Sequence, residues 1–248
     1  MPSRLPPSAL AMRAWLLLLL LGSLAALVWV RGWRPPDRYN PWAPLDLRAE
    51  PDRFLRYKMH RLAADPPRCL AALRQAGARF APVADRAGQG GCGWHDAVRL
   101  RGTGVTMLSG PAVMSCPLAA TLVLFDRDAL QPAARASFHQ PVVRIDHVGS
   151  YACRNVYHRN EAPLSQHARA QAVDITGFRL ADGRRVEIGK GWNDSGAAGR
   201  FLHQVHDRGC AVAGMLLGPD YNAAHRTHFH IEASGWGFCP GGGAAQMR

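Results

Sequence analysis

The sequence lacks several patterns that identify common metal, redox and nucleic-acid-binding proteins. Its six cysteines form no CxxC pair, which argues against a cysteine-based zinc site and a thioredoxin-type redox site. It has no HExxH motif, the helical ligand pattern of many zinc proteases, and no internal repeat. Basic residues are dispersed and form no recognisable nucleic-acid-binding module, so we expect no nucleic-acid partner.

Acidic residues are few for a chain of this length. The 248 residues include 18 acidic and 30 basic side chains, a net charge of +12 with a pI near 10.3. Such a balance favours an anionic neighbour, and an exported protein meets anionic wall polymer and lipid headgroups. A solvated arginine-rich surface explains the same excess without a partner.

Charge is also missing from the 17 residues of Ala14–Val30. Their length is near the lower limit for crossing about 30 Å of hydrocarbon as a helix, and Trp15 and Trp29 stand at the two ends. We predict a transmembrane anchor over residues 14–30, with residues 1–13 in the cytoplasm. A cleaved signal is the alternative, because Ser23-Leu24-Ala25 has the form of a cleavage site. Both interpretations place the remaining chain outside the inner membrane, in the periplasm.

The segment after the apolar run is rich in proline and charge, so we predict a linker over residues 31–55. A folded domain over residues 56–240 and a flexible tail over residues 241–248 follow. All six cysteines lie in this domain, and an even count in an exported protein indicates three disulfides with 15 possible connectivities. Sequence order suggests the pairs Cys69–Cys92, Cys116–Cys153 and Cys210–Cys239.

Short helices and strands alternate along the domain. Composition predicts helices over residues 67–76, from Pro117 to Leu130 with Pro132 ending or kinking it, and from a cap at residues 193–195 to about Arg208. The predicted strands are residues 142–148, 172–180, 185–188, 212–217 and 228–233. These elements predict an α+β fold, a small and mostly antiparallel sheet with helices packed on it.

Histidine and aspartate stand at strand positions that share one face. Side chains alternate in a strand, so His228 and His230 project together, while Phe229 and Ile231 point to the core. Asp174 is a carboxylate on a strand otherwise built for burial, and a buried unpaired carboxylate costs several kcal/mol. An arginine or a divalent cation would remove this cost. Two histidines and a carboxylate form the ligand set of catalytic zinc sites.

The remaining histidines are treated as surface residues. Among them, His203 and His206 are expected on the exposed side of the last helix.

A signature in the second half of the chain resembles known zinc peptidases. Ser165-x-His167-x-x-Ala170-x-Ala172-x-Asp174 is similar to the SxHxxGxAxD pattern of the D-Ala-D-Ala metallopeptidases, and His228-x-His230 to their later HxH. This fold group includes the Hedgehog signalling domain and the penicillin-insensitive murein endopeptidase. Residues from about Cys69 to Cys239 resemble, more closely, the bacterial extensin-like C-terminal domain family, through GSYACRN, LSQHARAQAVDITGF and LGPDYNAAHRTHFHIE.

The resemblance implies a Hedgehog/DD-peptidase-like fold that binds Zn²⁺. The metal ligands it implies are His167, Asp174 and His230. The catalytic residues are His228 as general base with His225 in reserve, and Arg154 polarising the scissile carbonyl. Ser165 and Gln166 would shape the ligand loop, and Ser165 is also a candidate substrate contact.

Independently of the resemblance, residues 218–222 form a turn-rich loop just before His225. In one interpretation Tyr221 or Asn222 contacts a substrate backbone, and in the other the loop only makes a tight connection.

Two residues depart from the peptidase pattern. Ala170 replaces a glycine, and Thr227 stands where many of these peptidases carry an acidic base. We expect a membrane-anchored zinc peptidase that acts on the stem peptides or crosslinks of peptidoglycan. A non-catalytic, metal-containing wall-binding domain and a hydrolase for another amide or ester are the alternatives. Trp192 and Trp236 could stack on sugar rings, although tryptophan is more often half-buried packing.

Overall fold

The structure, a computed structural model, describes residues 9–241. The chain divides into two compact units, one ending at Asn40 and one beginning at Pro41. The first unit carries helix α1 (Ala9–Val30), in which Ala11–Val30 has a mean hydropathy of 2.1 and is long and apolar enough to cross a membrane. A signal sequence has the same properties. The predicted apolar helix is therefore confirmed, and both of its interpretations stand.

The second unit is built around one mixed sheet. Its strands are β1 (Arg79–Pro82), β4 (Ala97–Gly102), β5 (Met107–Ser115), β6 (Val142–His147), β7 (Ala172–Leu180), β8 (Arg185–Glu187), β9 (Met215–Leu217) and β10 (Phe229–Glu232). The order is β1-β4-β5-β6-β7-β10-β9, with β8 paired to β7. Only the pair β5–β6 is parallel among these described strands. A separate small hairpin joins β2 (Arg86–Ala87) and β3 (Gly93–Trp94).

Helices cover the apolar face of this sheet. They are α2 (Leu55–Ala63), α3 (Pro66–Gln75), α4 (Cys116–Leu124), α5 (Gln131–Phe138), α6 (Ile188–Gly191) and α7 (Ala197–Gly209). Phe201 of α7 packs edge-on against Phe178 of β7, with ring centroids 5.5 Å apart. Both rings are fully buried in the core. The predicted α+β class, with a mostly antiparallel sheet and packed helices, is confirmed.

The helix that begins at Cys116 continues past Pro132 instead of ending there. Between α4 and α5 the backbone forms a π-helical turn over Phe125–Leu130. Gln131 N–H bonds Asp126 O, five residues back, and this wider turn accommodates the proline that follows. Asp126 is buried at the turn and accepts hydrogen bonds from Thr103 and Thr106.

The second half of the predicted linker belongs to the folded unit. Ala43 and Leu47 are buried, so residues 41–55 of the predicted linker pack within the second unit. Residues 1–8 of the predicted cytoplasmic segment lie outside the described residues. So does the predicted tail, apart from Gly241.

Arg56 of α2 fastens this helix to the end of the chain. Its guanidinium donates to Ala213 O at 3.0 Å and to Cys210 O at 3.2 Å. Gly237 lies so close that a Cβ there would sit 2.2 Å from an Arg56 nitrogen, so a side chain at this position would displace the guanidinium. The α2 helix is therefore part of the domain and not an extension of the linker.

Three disulfides close the domain, and two of the predicted pairings are wrong. The bonds are Cys69–Cys116, Cys92–Cys153 and Cys210–Cys239, of which the last was expected. Sequence order fails because α3 packs on α4, and because the β2–β3 hairpin lies beside the segment after β6. Cys92–Cys153 thus ties the small hairpin to the segment that ends at Arg154.

Peptide mapping of the unreduced protein checks this connectivity. Proteolysis without reduction should release linked peptides that contain Cys69 with Cys116 and Cys92 with Cys153. Mass spectrometry identifies each pair, and a reduced sample serves as the control. A peptide linking Cys69 to Cys92 would contradict the fold around α3.

Candidate metal centre

Two neighbouring strands near one edge of the sheet place a histidine directly opposite an aspartate. In the antiparallel pair β7–β10, His230 faces Asp174, and Phe229 faces Ile175. Residues directly opposite each other in such a pair share one face of the sheet. Phe229 and Ile175 enter the core, so His230 and Asp174 lie on the other face, as the alternation of the sequence predicts.

A short 3₁₀-helix (Gln166–Arg169) brings His167 to the same place. The Ser165 hydroxyl accepts from the N–H of His167 and so fixes the start of this turn. Ala170 then returns the chain to β7 in a left-handed conformation, with φ of 53°. Such a conformation costs an L-residue about 1–2 kcal/mol, which explains why the resembled motif has glycine here.

Three potential ligand atoms converge between these elements. His167 Nε2 lies 3.3 Å from His230 Nδ1 and 3.2 Å from Asp174 Oδ2, and His230 Nδ1 lies 2.9 Å from Asp174 Oδ1. A tetrahedral zinc ion with bonds of about 2.0–2.1 Å separates neighbouring ligand atoms by about 3.3 Å. The spacing and the mixture of imidazole and carboxylate therefore fit zinc.

In both His167 and His230, the ring nitrogen that faces away from the potential metal position has a hydrogen-bond acceptor. The other nitrogen of each ring therefore directs its lone pair toward that position. His167 Nδ1 donates to Ser150 O at 3.3 Å, and His230 Nε2 donates to Glu232 Oε1 at 2.8 Å. Metal-binding histidines are oriented in this way by carbonyls and carboxylates. Glu232 was not predicted, although it follows His230 by two residues and so shares its face of β10.

The facing carboxylates give the metal-free site a strong affinity for protons. Burial opposes the charge on Asp174, but hydrogen bonds from His167 and His230 more than offset this and hold the pKa of Asp174 well below its usual range. Burial alone would lower the pKa of His230. Its bonds to Asp174 and Glu232 outweigh burial and raise that pKa to about 9. A positive charge is therefore favoured between these side chains.

Two further histidines stand beside the three ligand atoms. His228 Nε2 lies 3.5 Å from Asp174 Oδ1, and the His225 ring lies 5.6 Å from that of His230. Burial, the largest cause, lowers the pKa of both, that of His225 to about 4. Both rings are therefore neutral at pH 7, as a proton acceptor must be.

Arg154 lies within electrostatic reach of these two histidines. Its positive charge contributes to lowering the pKa of His225 and of His228. The structure thus brings His167, Asp174, His230, His225, His228 and Arg154 together at one site.

The residues predicted to touch substrate have partners within the protein. Ser165 is buried under the ligand turn. Asn222 bonds His225 and Tyr157, and the Tyr221 ring packs 5.4 Å from that of His225.

Of the other residues, Trp192 is buried and bonds Asp220, whereas Trp236 is 78% exposed. Trp192 is therefore part of the packed core, where its ring is not accessible to a sugar.

His206 was expected at the surface, and this is wrong. It is 1% exposed, because it lies four residues after Leu202 on the buried face of α7. It stands near Cys210 and Cys239, but their sulfurs are joined in a disulfide and offer no thiolate to a metal.

The chain matches a known family over most of the second unit. The profile described as Extensin-like protein C-terminus matches residues 67–240. The chain belongs to this family. The matched region of the extensin-like protein includes every potential ligand and all six cysteines. No curated protein and no solved structure matches the chain.

Glu232→Gln should weaken metal binding without removing a ligand. Glutamine lacks the negative charge that orients His230 and makes it more basic, so we expect zinc affinity to fall about 10–100-fold. Competition with a chromophoric chelator measures this affinity. Asp182→Asn, at an exposed carboxylate in the turn after β7, is the matched control and should bind like the wild type. Equal affinity in all three proteins would contradict the orientation of His230 by Glu232.

The metal-free domain should lose stability in alkali. Because the pKa of His230 rises from 6.5 to about 9 on folding, its proton stabilises the folded state below pH 6.5 and is lost as the pH rises through 9. The loss is on the order of 3 kcal/mol at most. Urea unfolding at pH 6 and pH 9.5 measures it, with chelator and with zinc. Zinc supplies the positive charge instead, so an equal loss in both forms would contradict this origin.

Proposed function

We propose that this extensin-like protein is a zinc-dependent hydrolase that cleaves peptide bonds in peptidoglycan. The observation that carries the proposal is the convergence of His167, His230 and Asp174 at distances that suit one ion. Three protein ligands leave a position open, as in catalytic zinc sites. A bound zinc ion supplies Lewis-acid polarisation of a carbonyl and lowers the pKa of water to about 7.

The neighbouring histidines differ in their suitability as a proton acceptor. His228 Nε2 faces the Asp174 carboxylate, which favours a proton on that nitrogen. His225 Nδ1 is bonded to Asn222, and no described side chain bonds its Nε2. We therefore favour His225 as the general base. His228 lies beside Asp174, where a proton on its Nε2 stabilises the negative charge of that carboxylate. This reverses the order in which the sequence ranks them.

Arg154 is placed to stabilise negative charge on a substrate oxygen. It lies close enough to His225 and His228 to lower their pKa, so a carbonyl near these rings also experiences its charge. Removing one such electrostatic stabiliser from an enzyme costs about 3–4 kcal/mol of transition-state stabilisation. Asp174 and His228 are the partly exposed members of the site, and substrate would approach from their side.

Location and charge support a cell-wall substrate. An apolar N-terminal helix, three disulfides and a net charge of +12 agree with an exported domain near the anionic wall polymer. Within this proposal, α1 holds the protein in the inner membrane by a single pass, and the second unit works in the periplasm.

A non-catalytic, metal-containing wall-binding domain is the second candidate. The observation that favours it is the depth of the site, where His167 is 3% and His230 8% exposed. Thr227, at the place of the acidic base, packs its side chain against Gly189 instead of the ligands. In this candidate the ion stabilises the domain, and the wall binds elsewhere on its basic surface.

Incubation with purified wall fragments separates the two candidates. The full chain in detergent, loaded with zinc, should release new peptide fragments that mass spectrometry identifies. Asp174→Ala should abolish them, because it removes a ligand, whereas Asp182→Ala should cleave like the wild type. Intact fragments from the folded, zinc-loaded wild type, across several crosslink types, would contradict the peptidase and favour the binding domain.

A further inference from the structure

Asn222 uses every polar atom of its side chain within the protein. Its Oδ1 accepts from Ala224 N–H at 3.0 Å and lies 2.8 Å from His225 Nδ1. Its Nδ2 donates to the Tyr157 hydroxyl at 2.8 Å. The backbone N–H of Ala224 can only donate, so it fixes which end of the amide is the oxygen. These bonds leave Asn222 a different task from contacting substrate.

This arrangement determines which nitrogen of His225 carries the proton. Asn222 Oδ1 can only accept, so His225 Nδ1 must donate to it, and the lone pair of the neutral ring then lies on Nε2. The ring is held between Tyr221, 5.4 Å away, and His228, 5.2 Å away. It is 8% exposed, so packing resists its rotation.

Tyr157 holds the other end of the Asn222 amide from a strained loop. Tyr157 and His158 both have left-handed backbones, with φ of 54° and 57°. Each costs about 1–2 kcal/mol for an L-residue, and such strain persists only where the surroundings hold it. The loop is closed at its base by the bridge between Asn155 and Leu164. Arg154 immediately precedes Asn155, the first residue of this loop.

We propose that Asn222 is a positioning residue that holds His225 as the Nδ1-protonated tautomer, and that Tyr157 fixes Asn222 in the required orientation. The inference rests on the proposed hydrolysis and deepens it. His225 Nε2 takes a proton from water as the new C–O bond forms. It returns that proton to the amine nitrogen as the C–N bond breaks. A neutral ring protonated at Nε2 has no lone pair there and cannot take part.

Nitrogen NMR reads the tautomer whether or not the protein is an enzyme. The full chain in detergent micelles, labelled with ¹⁵N-histidine, should show His225 with a protonated Nδ1 and an unprotonated Nε2 at neutral pH. His225→Gln identifies the signal. A wild-type His225 protonated at Nε2 would overturn the proposal.

Variants of Asn222 and Tyr157 test whether these residues determine the tautomer of His225. Asn222→Ala should shift His225 to the Nε2-protonated form that prevails in free histidine, whereas Asn222→Asp keeps an acceptor and should retain the wild-type form. Tyr157→Phe should give a mixture of both tautomers. Tyr221→Phe, which keeps the ring contact with His225, is the control for this measurement and should leave the tautomer of His225 unchanged. An unaltered tautomer in folded Asn222→Ala, judged by unchanged signals of His206 in α7, would overturn the proposal.

Kinetics supply an independent measurement. With wall peptides as substrate, Asn222→Ala should lower kcat about 10–100-fold and leave KM nearly unchanged. This loss is no larger than the lower end of the usual contribution of a general base, about 100–10,000-fold, because the ring itself remains. Asn222→Asp should recover most of the loss. A rise in KM alone would instead assign Asn222 to substrate binding and overturn the positioning role. If no protein cleaves peptides but the tautomer still follows Asn222, the positioning is supported and only the peptidase fails.

Discussion

The pairing of His230 with Asp174 across β7 and β10 is the contact on which the site depends. The strand register that places Phe229 and Ile231 in the core also places this histidine and this carboxylate together on the opposite face. A slip by one residue would bury the polar pair and expose the apolar one. The hydrophobic core therefore selects the geometry of the candidate metal centre, because the same strand pairing forms both.

Around that pair, both histidines of the potential ligand set are held from outside by a group that can only accept. Ser150 O restrains His167, and Glu232 restrains His230. Asn222 restrains His225 in the same manner, although that ring is no ligand. The consequence is a cluster of imidazoles whose proton positions are set by the fold before any ion or substrate arrives. Such pre-organisation is what both tight metal binding and proton transfer require.

Strand alternation was enough to predict the ligand face, because two-residue periodicity is local. The same alternation places Glu232 on the face of His230, and helical spacing places His206 on the buried face with Leu202. Both positions could therefore have been predicted from the sequence. The disulfide pairs Cys69–Cys116 and Cys92–Cys153 were not, since they depend on which helices and hairpins pack together. Nor was the contact of Asn222 with Tyr157, which joins residues 65 positions apart.

The contact between Arg56 and the end of the chain bears on where this protein can be cut. The family match begins at residue 67, yet the guanidinium of Arg56 satisfies the carbonyls of Cys210 and Ala213, next to the last disulfide. A fragment trimmed to the matched region would lose these donors and expose the surface that α2 covers. The boundary of sequence similarity therefore lies inside the physical domain.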